Sequence, residues 1–275
     1  MTEIIEPREM NSPSEITSFL FNYKQWYDRY VLGKEQDDNI YFASGHATHS
    51  FNEDFFTEEP KDDENISQFA TRRFSELFTK YIDNSERITK MENDIMNKDI
   101  IKEYLTKYIQ VWVEETKRLE GKYGAKKAFE YNSPEWKEYH AENKELKIHG
   151  YVDACFTKDK FHKMSNVMNT MLSVVPEDYK TSSKTRTTFH TEYYIQLMIY
   201  ALLLQEEGHK VEWLGVDYLK YCQKYYFRVD AHNTQQIKWL INVVQKKIKE
   251  VYELAKEDSE AARDFKHKIK IEKML

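Results

Sequence analysis

Two cysteines, Cys155 and Cys222, are all that the 275-residue chain contains, and they show no ligand spacing. They are too few for a four-cysteine iron–sulfur cluster, and a reduced chain in a cytoplasmic or otherwise intracellular setting is expected. No run approaches the roughly 20 apolar residues that cross a bilayer. The N-terminus also lacks the basic-then-apolar order of a secretion signal, so no membrane partner is expected. Positive charge is in short supply: 41 Lys and Arg stand against 47 Asp and Glu, a formal charge of -6. A surface that gripped a polyanion everywhere would be more basic, so any such partner must meet basic residues gathered along a groove. Internal repeats, heptads and low-complexity blocks are missing too, and neither a repeat array nor a coiled coil is expected.

What is present supports a large core. Hydrophobic residues make up 40% of the chain, with 20 Tyr, 15 Phe and 5 Trp, which excludes global disorder. The polar start, residues 1–11, is expected to fray. Ser12-Pro13-Ser14-Glu15 predicts a helix that buries Ile16, Phe19, Leu20, Tyr23 and Tyr27 and stops near Gly33. Further helices are expected over 45–56, 69–81 and 99–119, the last ended by Gly121 and Gly124. The pattern turns strand-like over 128–156, and again over 171–180, where Pro176 marks an edge, a bulge or a late start to pairing. A helix over 191–205, strands over 211–229 and a long helix capped by Asp230 or Thr234 complete the order. That order predicts an α/β fold with a mixed sheet and helices on both faces. One domain is expected over 12–260, with a helical insertion around 57–120 and a basic tail over 261–275.

On an extended strand, Asp178 and Lys180 share a face and Tyr179 points the other way. Asp153, on the preceding strand, can come alongside. Two carboxylates so close repel unless a cation lies between them, and Mg²⁺ suits oxygen ligands, with the Tyr179 backbone carbonyl as a further donor. The Lys180 ammonium can hold a water for attack on a phosphate and stabilise the charge that develops there. Taken alone, the same triplet also reads as a surface ion pair at a strand end. Gly45, His49 and Glu53 recur every four residues along one helical face. Gly45 permits close approach of another backbone, His49 can ligate a divalent ion and Glu53 can orient a water; a helix packed through glycine is the other reading. His46 is rotated away and is the weaker ligand. Gln196 and Tyr200 form a polar pair one turn apart on an otherwise apolar helix, able to contact phosphate or to form a satisfied buried network.

Taken in order, these segments resemble the PD-(D/E)XK nuclease superfamily, and within it the RecB-like exonuclease branch. Gly45-x-x-x-His49-x-x-x-Glu53 is similar to that branch's G-x-x-x-H-x-x-x-E helix, Gly150-Tyr151-Val152-Asp153 to its first catalytic strand, and Asp178-Tyr179-Lys180-Thr181 to its acid-x-lysine strand. Gln196-x-x-x-Tyr200 is similar to its Q-x-x-x-Y helix. The resemblance implies a restriction-endonuclease-like mixed sheet. It implies that Asp153, Asp178, His49 and the Tyr179 carbonyl ligate Mg²⁺ or Mn²⁺, that Lys180 serves the hydrolytic water, and that Glu53, Gln196 and Tyr200 support the centre. CRISPR-associated relatives carry an iron–sulfur cluster; here Asn22 stands near the expected first cysteine, and no cluster is implied. The implied activity is phosphodiester hydrolysis on DNA, at ends or on single strands, in repair or recombination with a helicase or recombination partner. A non-catalytic DNA-binding or assembly protein and an endonuclease or RNA-processing enzyme are the alternatives. Lys184 and Arg186, next to the active strand, are the expected phosphate contacts. Lys158, Lys160, His162 and Lys163 are open to DNA contact or to a solvated loop. The aromatic residues offer base-stacking platforms, although most keep core spacing.

Overall fold

The computed structural model describes residues 4–35, 38–157, 173–181 and 190–271. Ser12 starts helix α1 (Pro13–Phe21): its hydroxyl accepts the Glu15 amide at 3.1 Å, and Pro13 sits where no amide hydrogen is needed. The chain runs on through α2 (Tyr23–Trp26) and a π turn over Tyr27–Val31, and Gly33 then takes a left-handed φ of 62°. Helix α3 (Ile40–Phe55) starts before the expected position 45, because the Asn39 side chain accepts the Tyr41 and Phe42 amides at 3.0 and 3.1 Å. Helices α4 (Ile66–Phe78), α5 (Glu86–Met91) and α6 (Lys98–Tyr123) follow. Gly121 lies inside α6, and only Gly124, at φ 81°, ends it. Residues 128–131 are helical, not strand-like: α7 (Ala125–Tyr131) packs Phe129 edge-on against Phe69, with ring centres 5.0 Å apart.

Strands β1 (Trp136–Asn143), β2 (Ile148–Thr157) and β3 (Ser173–Lys180) pair antiparallel in succession. Helix α8 (Thr191–Glu206) then carries the chain to β4 (Lys210–Val211) and β5 (Trp213–Tyr218), both parallel to β3, and β6 (Gln223–Arg228) returns antiparallel. The sheet order is β1-β2-β3-β5-β6, with β4 also on β3. This is the mixed, restriction-endonuclease-like α/β class expected. Helix α9 (Ala231–Glu257), capped by Asp230, and the short α10 (Ser259–Arg263) close the fold, and Phe265, Ile269 and Ile271 of the expected tail pack against the core. Of the leading segment, the described residues make backbone contacts: the Ile5 amide bonds the Val31 carbonyl at 3.0 Å, and Asn11 bridges to Ile148.

Two apolar layers cover the sheet. Helices α1, α8 and α9 bury Phe19, Ile195, Leu203, Leu240 and Val244 on one face, whereas α3, α4 and α6 bury Phe51, Phe55, Phe69 and Leu105 on the other. No described helix is long and apolar enough to cross a membrane.

Strand β3 is therefore interior, and Pro176 lies on no edge. It sits between the last β3–β4 pair, Val174↔Val211, and the first β3–β5 pair, Glu177↔Gly215. Its missing N–H falls in that break, where no ladder bond is forfeited. Gly215 is needed for a different reason. A Cβ there would lie 2.6 Å from Glu177 Cγ and 3.0 Å from the Tyr226 ring, so only glycine lets the Glu177 side chain cross β5. Across that gap, Glu177 accepts from Lys224 at 3.0 Å and from Tyr226 at 2.8 Å. Lys224 also meets Asp217 at 3.2 Å, and Asp217 accepts the Tyr108 hydroxyl of α6 at 2.7 Å.

Candidate active site

Four segments meet at the C-terminal end of β3. The antiparallel register of β2 and β3 ends at Ala154↔Glu177. One step beyond, where backbone pairing stops, the Asp153 carboxylate takes the Tyr179 amide at 2.8 Å and so lies beside Asp178. A residue's N–H and C=O leave the same edge of a strand, which directs the Tyr179 carbonyl, the expected further ligand, toward Asp153. Asp178 and Lys180 share the face toward α8, with Lys180 Nζ 2.5 Å from Asp178 Oδ2. Gln196 ties this pair down. Its Oε1 accepts from Lys180 at 3.2 Å, and its Nε2 donates to the Tyr200 hydroxyl at 3.0 Å and, weakly, to Asp178 at 3.4 Å. On α8, residues 197–204 are buried throughout, so Gln196 is a polar break in an apolar helix.

Helix α3 closes the other side. His49 Nε2 lies 3.0 Å from Asp153 Oδ2, and its Nδ1 is 3.6 Å from Glu138. Gly45 serves a side-chain contact where close approach of a backbone was expected: an added Cβ would stand 3.3 Å from Thr181 Oγ1. His46 is exposed on the rim of the cleft.

Glu138 escaped the sequence reading. In the β1–β2 register it falls between Lys137↔Ala154 and Tyr139↔Val152, opposite Asp153, and its φ of 46° breaks the ladder there. Only the strand register carries that signal. His49, Glu53 and Glu138 each offer a ligand atom, all within 4.8 Å of one another. His49 thus belongs to both this trio and the expected set with Asp153 and Asp178. Carboxylates, one imidazole and a backbone carbonyl suit a hard divalent ion. Glu138 Oε1 is buried with no hydrogen-bond partner among the described residues, which fits a cation there. The open groove of about 680 Å³ between α4 and α6 contains none of these side chains. Lys184, Arg186, Lys158, Lys160, His162 and Lys163 lie outside the described residues.

Charge crowding shifts the titrations. Burial and the Asp153 charge push the Asp178 carboxyl up to about 7, against the pull of Lys180. Burial, Asp153 and Glu53 likewise push Glu138 up to about 7, against His49. Asp153 is held below the usual range: burial opposes this, but His49, Lys180 and the Tyr179 amide outweigh it. Lys180 is raised, because Asp178 and Asp153 overcome the cost of burying its charge. Burial also works against His49, yet Asp153, Glu138 and Asp178 lift it to about 9.

In chelating buffer the folded chain therefore keeps the His49 proton up to about pH 9, whereas the unfolded chain releases it near 6.5. This contribution to stability is complete below about pH 6.5 and lost as the pH rises through 9. With solvent screening it amounts to about 1 kcal/mol, or roughly 2–4 °C of melting temperature. His49→Gln is expected to flatten that part of a curve of melting temperature against pH; an unchanged slope would take the imidazolium out of the cluster.

No curated protein matches the chain. A family model of the PD-(D/E)XK nuclease superfamily matches residues 11–275. A match over nearly the whole sequence, on a sheet that brings the acid-x-lysine strand against Asp153, His49 and Gln196, makes this chain a member of the PD-(D/E)XK nuclease superfamily.

Proposed function

We propose that the protein is a divalent-metal-dependent DNA nuclease of the RecB-like branch, acting as an exonuclease on ends or single strands. The observation that carries this reading is the convergence of Asp153, Asp178 and Lys180 with Gln196 and His49 in one half-buried cluster. His49, Asp153, Asp178 and the Tyr179 carbonyl would hold Mg²⁺ or Mn²⁺, with Glu53 and Glu138 at its border. Bound there, the ion would polarise the scissile phosphate and acidify water.

The chain's own residues do the rest. Lys180 stays protonated beside Asp178 and Asp153, which suits it to hold the attacking water by donation and to stabilise charge on the phosphate, and not to act as a base. Gln196 fixes the ammonium through its Oε1 and is itself aligned by Tyr200. Attack of water oxygen on phosphorus, with loss of the O3′ leaving group, would give a 5′-phosphate end. A helicase or recombination partner and a role in DNA repair belong to the same reading.

A time course on end-labelled linear DNA and on circular DNA tests it. Cleavage is expected with Mg²⁺ or Mn²⁺, on linear substrates only, and is abolished by chelation. Lys180→Ala should lower the rate about 10²–10⁴-fold. Wild-type turnover by this variant would remove the proposed centre. Tight DNA binding without hydrolysis under any metal would favour a non-catalytic scaffold, and cutting of circles or RNA would favour the endonuclease or RNA-processing alternatives.

A further inference from the structure

The α3 helix exposes two aromatic rings in its first turn that its own pattern does not require. Phe51 and Phe55, further along, are fully buried, whereas Tyr41 and Phe42 are 49% and 40% exposed. Both rings line an open cleft of about 580 Å³ whose floor includes Tyr179, Lys180 and Thr181. That volume lies within the roughly 300–1,000 Å³ range of small-molecule pockets, room for a nucleotide or two and too small for a duplex.

The charge of this cleft is as informative as its shape. The chain carries 47 Asp and Glu, yet none of the described residues lining the cleft is acidic. Its ionisable lining includes His46, His49 and Lys180. The neighbouring cavity beside α6, which shares Tyr179 with this cleft, is by contrast lined by Glu115, Glu177 and Asp217. A largely apolar cleft with no acidic side chain among its described lining residues, ending on the lysine of the catalytic cluster, suits an anionic ligand carrying flat apolar groups.

We propose that Tyr41 and Phe42 form a base-stacking subsite that seats unpaired nucleotides next to the scissile phosphate, with the sugar-phosphate chain running toward Lys180. The proposal rests on the nuclease reading and names its substrate class, an unpaired strand. In a duplex interior the faces of each base are covered by its neighbours, so only a free strand or a frayed end offers a ring face to these side chains.

Fluorescence anisotropy on the full chain in chelating buffer, where metal-dependent cutting is off, tests the subsite. The probes are a labelled single-stranded DNA 12-mer and the blunt duplex of the same sequence. Tyr41→Ala with Phe42→Ala is expected to weaken single-strand binding at least about 10-fold and duplex binding by less than about 2-fold. Tyr41→Trp with Phe42→Trp is expected to restore it. Both positions are exposed, and an unchanged melting temperature checks that the variants fold. Equal loss on both probes, no loss on either, failure of the tryptophan pair, or a wild-type chain that binds the single strand no better than the duplex would each overturn the subsite. The nuclease reading is judged separately. Ring-dependent binding by a wild-type chain that never cuts would end that reading and leave the subsite standing. Metal-dependent cutting with binding indifferent to the rings would do the reverse.

Discussion

Replacing Asp178 by asparagine is expected to lower DNA hydrolysis about 10³-fold or more while leaving the melting temperature in chelator unchanged or raised. The two effects have one source. Asp178 is 2% exposed, and burial together with the Asp153 charge pushes its carboxyl up to about 7. Its folded form keeps a proton that the unfolded chain releases near 3.8. Stability from this group is therefore full at low pH and declines as the pH rises toward 7. Asparagine has the same shape, can still accept from Gln196 and carries no charge to bury, so its advantage should widen from pH 5 to pH 7.5. Lys180 keeps the Gln196 oxygen as an acceptor in the variant. What the amide cannot supply is the negative charge that a divalent ion requires. Parallel melting curves and cleavage assays check both halves. Wild-type turnover by Asp178→Asn would dismiss the carboxylate from the chemistry, and a large loss of stability would mean that its ion pair with Lys180 outweighs the cost of burying the charge.

The second large effect is expected far from the chemistry. Lys224→Met removes the one cation among the described residues that meets both Glu177 and Asp217, which are 2% and 0% exposed. Burial and the Asp217 charge raise the Glu177 carboxyl, against Lys224 and the Tyr226 hydroxyl. Breaking a buried ion network by deleting one partner costs about 3–5 kcal/mol. For a chain of this size that corresponds to a drop of roughly 6–20 °C. Glu177→Gln added to Lys224→Met should recover part of the loss, because one stranded charge is gone. A shift under about 2 °C, read by thermal and urea unfolding, would mean that water from the adjoining cavity of about 190 Å³ relieves the carboxylates.

The parts of this site that could be read from the sequence are those whose geometry is local. Strand parity puts Asp178 and Lys180 on one face, and helical spacing puts Gln196 under Tyr200 and His49 one turn from Gly45; contacts at 2.5, 3.2 and 3.0 Å follow from that. Glu138 was hidden because it depends on which residue of β1 lies opposite Asp153, and on a left-handed backbone that no propensity favours for glutamate. The start of α3 was misplaced because the aromatic Tyr41 and Phe42 disguised the Asn39 cap. Helix α7 was read as strand because its aromatic residues mimic strand composition, while packing of Phe129 on α6 and α4 decides otherwise. Of the readings open for Pro176, the late start to pairing is the one that fits, since β5 joins β3 only from Glu177; which of the three holds depends, as for Glu138, on the neighbouring strands.

Glu177 and Asp178 are both acidic, so composition alone would not stop β3 from sliding by one position. A slid strand would offer Glu177 and Tyr179 to Gln196, an acid followed by a phenol where an amine is needed, and would turn Asp178 and Lys180 toward α6. Pro176 and Gly215 together forbid that frame. A shift by one would bring the imino acid out of its gap and onto a neighbour that expects a donor, and would take Glu177 away from the only β5 residue without a side chain. The bare position on β5 thus acts as a reading-frame mark for the catalytic strand, built into a neighbour that never touches the substrate.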